Sequence, residues 1–467
     1  MKPLRLTDNT FYTDWQYKPK PGKFLKELSA CTIEELNSNT TENGEILVWP
    51  HSFKECKDDL ANMTILNLEY QKDGKVKSMR TNNLVGFVGN GDVQLEINSR
   101  FSTIANNKKA EIQDYFLYYM LSKVFSINIV NMEVCAGSLK DLDLLIFVFP
   151  RLLKEAMRQG MFKHYIKKEY NDANLRGTID INKHIRLNYP ANGRISYRTR
   201  EFSYDNDITQ LVRHTIEYLN NSPIGQALLN SDKEIEQCVR MTIQATPTYQ
   251  KGNRHRIINA NKKPLSHPYY TRYKELQRLC LAILRNEKIS HGVQKKKIHG
   301  VLIDIAWLWE EYIGVILKDI NFSHHTMKNS FKLFKNTENN KQFQTIIPDY
   351  VGETSNGRKI VADAKYIPLH LYDKFDAERA SDVYYKTIMY MYRFATNIGF
   401  LLHPCERNET NTTFSDYEID NDKRCHLYEV GLVIPENNSY FKKEIVKNEK
   451  EFIECINKYA LIEEVSA

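Results

Sequence analysis

Two aspartates and a lysine in the stretch Ile346 to Tyr366, IIPDYVGETSNGRKIVADAKY, have the types and spacing for metal-assisted hydrolysis of a phosphodiester. Asp349 follows Pro348, and after thirteen intervening residues come Asp363, Ala364 and Lys365. Carboxylates are hard oxygen donors that suit Mg²⁺, and an ammonium beside them can steady or activate an attacking water. The pattern alone leaves a second reading open, an exposed hairpin whose Asp and Lys face solvent.

The elements needed to position these groups are readable around them. A strand is expected to end at Pro348-Asp349-Tyr350, a polar tip to turn at Asn356-Gly357, and a second strand to run from Lys359 to Tyr366. Its period of two places Val361, Asp363 and Lys365 on one face, with Asp349 able to approach across the hairpin. Upstream, Asp304 to Ile320 reads as a helix, with Trp309, Tyr312, Ile313, Ile316, Leu317 and Ile320 forming a buried stripe. Glu310 borders that stripe and Glu311 falls nearer Val315 and Lys318. Glu310 is therefore the acid expected to point inward, as a further ligand to a metal or its water, or else as an ordinary helix-surface carboxylate. Downstream, a charged loop at Asp373 to Arg379 precedes a helix over Ala380 to Thr396. That helix sets Lys386 and Tyr390 at i, i+4, within reach of a phosphate or the reacting centre, or leaves the tyrosine in the core. Strands at 400–403 and 428–435 and a closing helix at 450–459 complete an α/β core with a mixed central sheet and helices on its faces.

The rest of the chain bounds the class. At 467 residues it has room for two or three domains, and 42% hydrophobic with 26% charged residues is an ordinary globular balance. A net charge of +7 permits nucleic-acid binding without demanding it. The eight cysteines stand singly, with no CxxC and no zinc spacing, as expected of reduced thiols in a cytoplasmic protein. Neither a secretory leader nor an apolar run long enough to span a membrane is expected. No GxxxxGK[ST] is present, so the chain does not itself supply a nucleotide motor of that kind.

Before residue 300 the pattern is mixed. Residues 63–101 read as a β-meander with turns at Asp73-Gly74 and Gly89 to Asp92. Gly86, Gly89 and Gly91 read as hairpin turns, since the helix and Lys-Ser/Thr of a phosphate loop do not follow. Helices are expected over Glu111 to Phe125, within Leu142 to Tyr170, from Ile208 to Leu219 behind Asp205 or Asp207 as N-cap, and through much of Gln226 to Arg285. A strand is expected around Ile179 and Ile181, with Gly177 allowing a bend. Lys295-Lys296-Lys297 reads as a solvated linker where a new domain begins, or as a phosphate contact. The resulting division is an α+β region at 1–300, with the meander at about 63–101 and a helical part at about 110–285, and a second domain at 301–467.

Taken in order, these motifs resemble the McrC family, the PD-(D/E)xK subunit of McrBC-type restriction systems, including its LlaJI-like branch. Trp309-Glu310-Glu311-Tyr312 is similar to the family's aromatic-Glu-x-aromatic helix. Pro348-Asp349 with Asp363-Ala364-Lys365 resembles its active-site core, and Asp382 with Tyr385, Lys386 and Tyr390 its following helix. Gly86-Phe87-Val88-Gly89, Leu95-Glu96-Ile97 and Leu175 to Asp180 fall in the family's order. The resemblance implies an N-terminal mixed α+β docking region followed by a C-terminal PD-(D/E)xK nuclease domain with a mixed central sheet flanked by helices. It implies Mg²⁺ on Asp349, Asp363 and the Ala364 carbonyl, with Glu310 joining directly or through water. Lys365 would orient or deprotonate the attacking water. Lys386 stands where the family pattern has a Gln that positions the nucleophile. The implied substrate is double-stranded DNA, and the implied partner is a McrB-like AAA+ GTPase, expected as a hexameric ring, which the chain would bind and stimulate. A catalytically vestigial plug of that ring and a stand-alone RecB-like repair nuclease are the two other readings.

Overall fold

The computed structural model describes residues 4–13, 23–39, 46–53, 62–72, 76–90, 93–104, 112–126, 143–289, 298–325, 329–354, 357–367, 377–406, 414–419 and 422–460. The chain forms two compact units: Met1–Leu144 together with Gly292–Ala467, and Leu145–His291, which is inserted between them in sequence.

The discontinuous unit contains two mixed sheets. The first is built from β1 (Leu4–Thr7), β2 (Ile46–Trp49), β3 (Leu84–Gly89), β4 (Gln94–Asn98) and β5 (His299–Asp304), in the order β1-β4-β3-β5-β2. The β3 strand pairs antiparallel with β4 and β5, and the outer pairs are parallel. ILVW in β2 and LVGFVG in β3 are buried throughout, as strands covered on both faces must be. Leu6, Val48, Val88, Ile97 and Leu302 fill this core together with Leu28 and Ile33.

Gly86 is not at a turn. It sits inside β3 at φ +139°, where an added Cβ would lie 2.2 Å from the Val301 carbonyl oxygen. The residue is glycine because two backbones meet there. The expected meander also divides. Leu66–Tyr70 and Val76–Thr81 join Phe11–Thr13 in a separate three-stranded sheet, whereas β3 and β4 belong to the five-stranded one. Residues 73–74 and 91–92 of the expected turns lie outside the described residues.

The division expected at 300/301 passes through β5. This strand takes its neighbours from the N-terminal half and then runs directly into a helix. After α1 (Tyr115–Val124), capped by Asp114, comes α2 (Ile305–Ile316). The cap of α2 is Asp304, the last residue of β5, whose carboxylate accepts the Ala306 and Trp307 N–H groups at 3.0 and 3.1 Å. As the apolar stripe required, Trp309, Tyr312, Ile313, Ile316 and Leu317 are buried.

The second sheet has the order β6-β9-β10-β11-β13-β12, from β6 (Phe322–His324), β9 (Tyr350–Glu353), β10 (Lys359–Ala364), β11 (Ile398–Glu406), β12 (Phe414–Ile419) and β13 (Asp422–Ile434). Between β6 and β9, β7 (Phe331–Lys335) and β8 (Gln342–Ile346) make a separate two-stranded ribbon. The β10, β11 and β13 strands are mutually parallel, with antiparallel strands on either side. Helix α3 (Ala377–Phe394) lays Val383, Tyr390 and Met391 against Val351, Val361, Leu401 and Leu427. The loop expected over 373–379 lies outside the described residues up to 376, and α3 starts at Ala377. Helix α4 (Phe441–Ala460) closes the unit, starting nine residues before the expected 450.

The inserted unit has a three-stranded sheet beside a group of helices. His164–Asp172 is a strand paired over its whole length with Ile195–Ser203, so the helix expected within 142–170 stops at Met157. Exposure alternates along HYIKKEY with a period close to two, as in a strand. The short strand Thr178–Ile179 ends early because Asp180 caps a helix over Ile181–Asn188. An added Cβ on Gly177 would lie 2.1 Å from the Arg198 carbonyl, so close backbone approach is its reason. The cap of Asp207–Leu219 is Asn206, neither Asp205 nor Asp207. Its side-chain oxygen accepts the Ile208 and Thr209 N–H groups, while Asp205 accepts from Gln210 and Thr248. Lys295 to Lys297 lie outside the described residues. Among the described residues no helix is long and apolar enough to cross a membrane.

Candidate active site

Pro348 has no N–H to give a ladder, and the chain here belongs to no strand. The β8 strand stops at Ile346 and β9 starts at Tyr350, so Pro348-Asp349 forms the crossing between them rather than a strand end. The β9–β10 hairpin forms around the expected turn, with Gly357 at φ +77°, but its first arm starts at Tyr350 instead of ending there and its second stops at Ala364, short of the expected Tyr366. Asn356 lies outside the described residues.

This geometry brings four of the five expected side chains together. Asp349 is buried, and its Oδ2 accepts the Ala364 backbone N–H at 2.9 Å, which fixes the carboxylate against the D-x-K strand. Asp363, also buried, forms an ion pair with the Lys365 ammonium, whose Nζ is 4.0 Å from Asp349 Oδ2. The backbone N–H of Lys365 donates to Leu402 O at 2.8 Å, which ties the motif to β11. Glu310 approaches from α2, and the Tyr350 hydroxyl donates to its backbone carbonyl. The Glu310 carboxylate faces His324 Nε2 at 2.9 Å. His324 was not legible in the sequence, because nothing in its spacing links it to residue 310. It arrives on β6, directly opposite Tyr350 in register.

The electrostatics follow from burial. Desolvation pushes the Asp363 carboxyl up to about 7, with Asp349 adding to the rise and Lys365 opposing it. Burial works against the Lys365 ammonium, but Asp363 and Asp349, with help from Glu310, outweigh it and hold its pKa above the ordinary lysine range. Lys365 is therefore a fixed positive charge between two carboxylates.

Lys386 is not part of this cluster. It is exposed on α3, while Tyr390, one turn on, is buried with its hydroxyl 3.4 Å from Ile347 O. A lysine stem can carry its ammonium to solvent from a position beside a buried tyrosine.

Among the described residues, no three His, Cys, Asp or Glu side chains form a metal cage by themselves. The donor set nonetheless suits Mg²⁺, which commonly takes one or two carboxylates and fills its remaining positions with water and phosphate oxygens. Asp349 and Asp363 supply the carboxylates. A dication held by them would share the charge balance that Lys365 now provides.

Beyond Lys365 the motif is held by the N-terminal half of the chain. Asn9 Nδ2 donates to Tyr366 O at 3.2 Å, the Arg100 guanidinium lies 4.6 Å from the Tyr366 ring centroid, and Arg100 donates to Pro404 O at 3.3 Å. Asp8 is fully buried and accepts the Arg100 backbone N–H at 2.5 Å. Burial raises Asp8 from 3.8 to about 7 and Asp114 from 3.8 to about 6. Both acids thus hold their protons more tightly folded than unfolded. The stability they contribute is complete below about pH 4 and is lost as pH climbs through 6 and 7. Asp8→Asn keeps an oxygen for the Arg100 N–H and removes the titration. Thermal unfolding in magnesium-free buffer should show the variant losing less stability than wild type between pH 5 and 8, by about 2 kcal/mol. Equal losses would remove Asp8 from the account.

A family model described as McrBC 5-methylcytosine restriction system component matches residues 79–404, a span that takes in every residue of the site. No curated protein matches the chain. Among solved structures, a refined half-complex from a tetradecameric assembly of Thermococcus gammatolerans McrB AAA+ hexamers with bound McrC is similar at 14% identity. Its TM-score is 0.47, with 97% of this chain and 100% of that chain covered. A cryo-EM structure of the Thermococcus gammatolerans McrBC complex is similar at 12% identity and a TM-score of 0.29, with 68% of this chain and 87% of that chain covered. The family match extends over well more than half of the sequence and agrees with the likeness read from the motifs: the chain belongs to the McrBC 5-methylcytosine restriction system component family.

Proposed function

We propose that this chain is the DNA-cutting subunit of its restriction system, a Mg²⁺-dependent PD-(D/E)xK endonuclease that works with a McrB-like AAA+ GTPase, which it binds and stimulates. The observation that carries the reading is the buried Asp349–Asp363 pair, fixed by the Ala364 N–H and bridged by the Lys365 ammonium. Asp349, Asp363 and the Ala364 carbonyl would hold the ion, with Glu310 joining directly or through water. Bound there, Mg²⁺ supplies positive charge to the phosphate and acidifies a water. Lys365 orients that water and offsets charge growing on the phosphate oxygens. Exposed Lys386 suits a contact with a neighbouring phosphate of double-stranded DNA. The GTPase is placed in a partner because the family is a component of a system and the sequence lacks a P-loop. Docking falls to the first 300 residues, and the free cysteines suit the reducing cytoplasm.

Cleavage of duplex DNA by chain and partner with GTP and Mg²⁺ tests the proposal. Lys365→Ala should lower the cutting rate by about 10²-fold or more while GTPase stimulation persists. The second reading is a vestigial plug that only activates the ring. Stimulation without any cleavage by the wild-type chain would establish that one instead.

A further inference from the structure

The β7–β8 ribbon runs directly into Ile347-Pro348-Asp349 and is not used by the chemistry described above. Its inner face is anchored. Phe331, Leu333 and Ile346 pack with the α3 core, the Phe331 ring meets Phe394 edge-on at 4.8 Å, and Arg393 Nε donates to Lys332 O at 2.8 Å. Its outer face is unlike a solvated hairpin. Phe334 and Phe343 stand opposite each other in register and stack at 5.3 Å between centroids, yet they are 51% and 50% exposed. Lys332, Lys335 and Lys341 are exposed on the same ribbon, against a single acid, Glu338, in residues 331–346.

Two stacked phenyl rings held in water on a ribbon that also exposes three ammonium groups match the chemistry of a polyanion that also offers flat apolar surfaces. Nucleic acid presents both, phosphates to lysine and base faces to aromatic side chains. The position of the ribbon favours DNA over a protein. Whatever lies on it is carried toward Asp349, four residues beyond Thr345 on the outer face.

We propose that the β7–β8 ribbon is a DNA-contacting element that lays Lys332, Lys335 and Lys341 on backbone phosphates and sets the Phe334–Phe343 pair against bases in the groove beside the cut. The placement beside the cut rests on the nuclease reading of Asp349 and Asp363. The contact itself does not, and it is measured without cleavage.

The test uses the full chain, alone and assembled with its GTPase partner, in EDTA with a fluorescent DNA duplex. Phe334→Ala/Phe343→Ala should weaken binding at least about tenfold with the salt dependence unchanged, and Phe334→Tyr/Phe343→Tyr should restore most of it. Lys332→Gln/Lys335→Gln/Lys341→Gln should reduce the slope of log affinity against log salt by about 2 to 3. With Mg²⁺ and GTP, the phenylalanine variant should raise the KM for cleavage rather than lower kcat. Wild-type affinity and slope in both variants would overturn the proposal, as would no DNA binding by the unaltered chain in either form. Intact DNA binding with lost GTPase stimulation would also overturn it, by placing the partner protein on the ribbon. Ribbon-dependent binding by a chain that never cuts would sustain this proposal and defeat only the nuclease reading.

Discussion

Asp363→Asn should reduce DNA cleavage by about 10³-fold or more in the assembled complex, with GTPase stimulation and folding left near wild type. The asparagine keeps the shape and one acceptor oxygen but cannot balance a dication in a site that excludes water. The folded protein should tolerate it, because burial raises the Asp363 carboxyl above the usual carboxylate range and so already disfavours its charge. Lys365 keeps Asp349 at 4.0 Å as a second counter-charge. Cleavage rates, partner GTP hydrolysis and a thermal melt, taken on one preparation, separate the effects. A variant that melts like wild type and cuts at the wild-type rate would refute the assignment of this residue to the reacting centre.

Glu449→Ala should cost about 3 kcal/mol of stability, the largest effect expected from a residue outside the site. The Glu449 carboxylate is buried on α4 and accepts the Tyr119 hydroxyl at 3.0 Å and the Tyr312 hydroxyl at 2.7 Å, with Lys123 Nζ at 3.3 Å. One side chain thereby joins α1, α2 and α4. Burial, with Glu449 itself beside them, keeps both tyrosines protonated well beyond the ordinary range, so both hydroxyls are obligate donors. Alanine would leave two buried O–H groups without an acceptor. Glu449→Gln, which keeps an acceptor and loses only the charge, should cost about 1 kcal/mol. Urea unfolding distinguishes them, and a Glu449→Ala variant within about 0.5 kcal/mol of wild type would show that the three helices are held by other contacts.

The site was legible where it depends on local period and on residue type. Alternation put Asp363 and Lys365 on one side of the chain, although β10 itself stops at Ala364, and the helical stripe of α2 turned Glu310 inward. Both rest on patterns a few residues long. What depended on distant neighbours was not legible. Gly86 looks like a turn glycine until the Val301 carbonyl is seen against it. His324 has meaning only once β6 lies beside β9. The strand His164–Asp172 carries enough charge to resemble a solvated helix face, and only its partner at Ile195–Ser203 decides the matter. Lys386 sits at the expected helical position, but its exposure depends on which face α3 gives to the sheet.

The pairing of β3 with β5 joins residues about 200 positions apart, with the whole inserted unit lying between them in sequence. Closing so long a loop is slow and comes late. During synthesis the ribosome delivers the insert before the strand that completes the first sheet, and α2, which carries Glu310, follows that strand. The residues of the candidate site thus meet only after most of the chain has been made. Newborn or interrupted chains would carry the inserted unit without the Asp349, Asp363 and Lys365 cluster; on the proposed nuclease reading, that order of assembly spares the DNA of the cell that makes it.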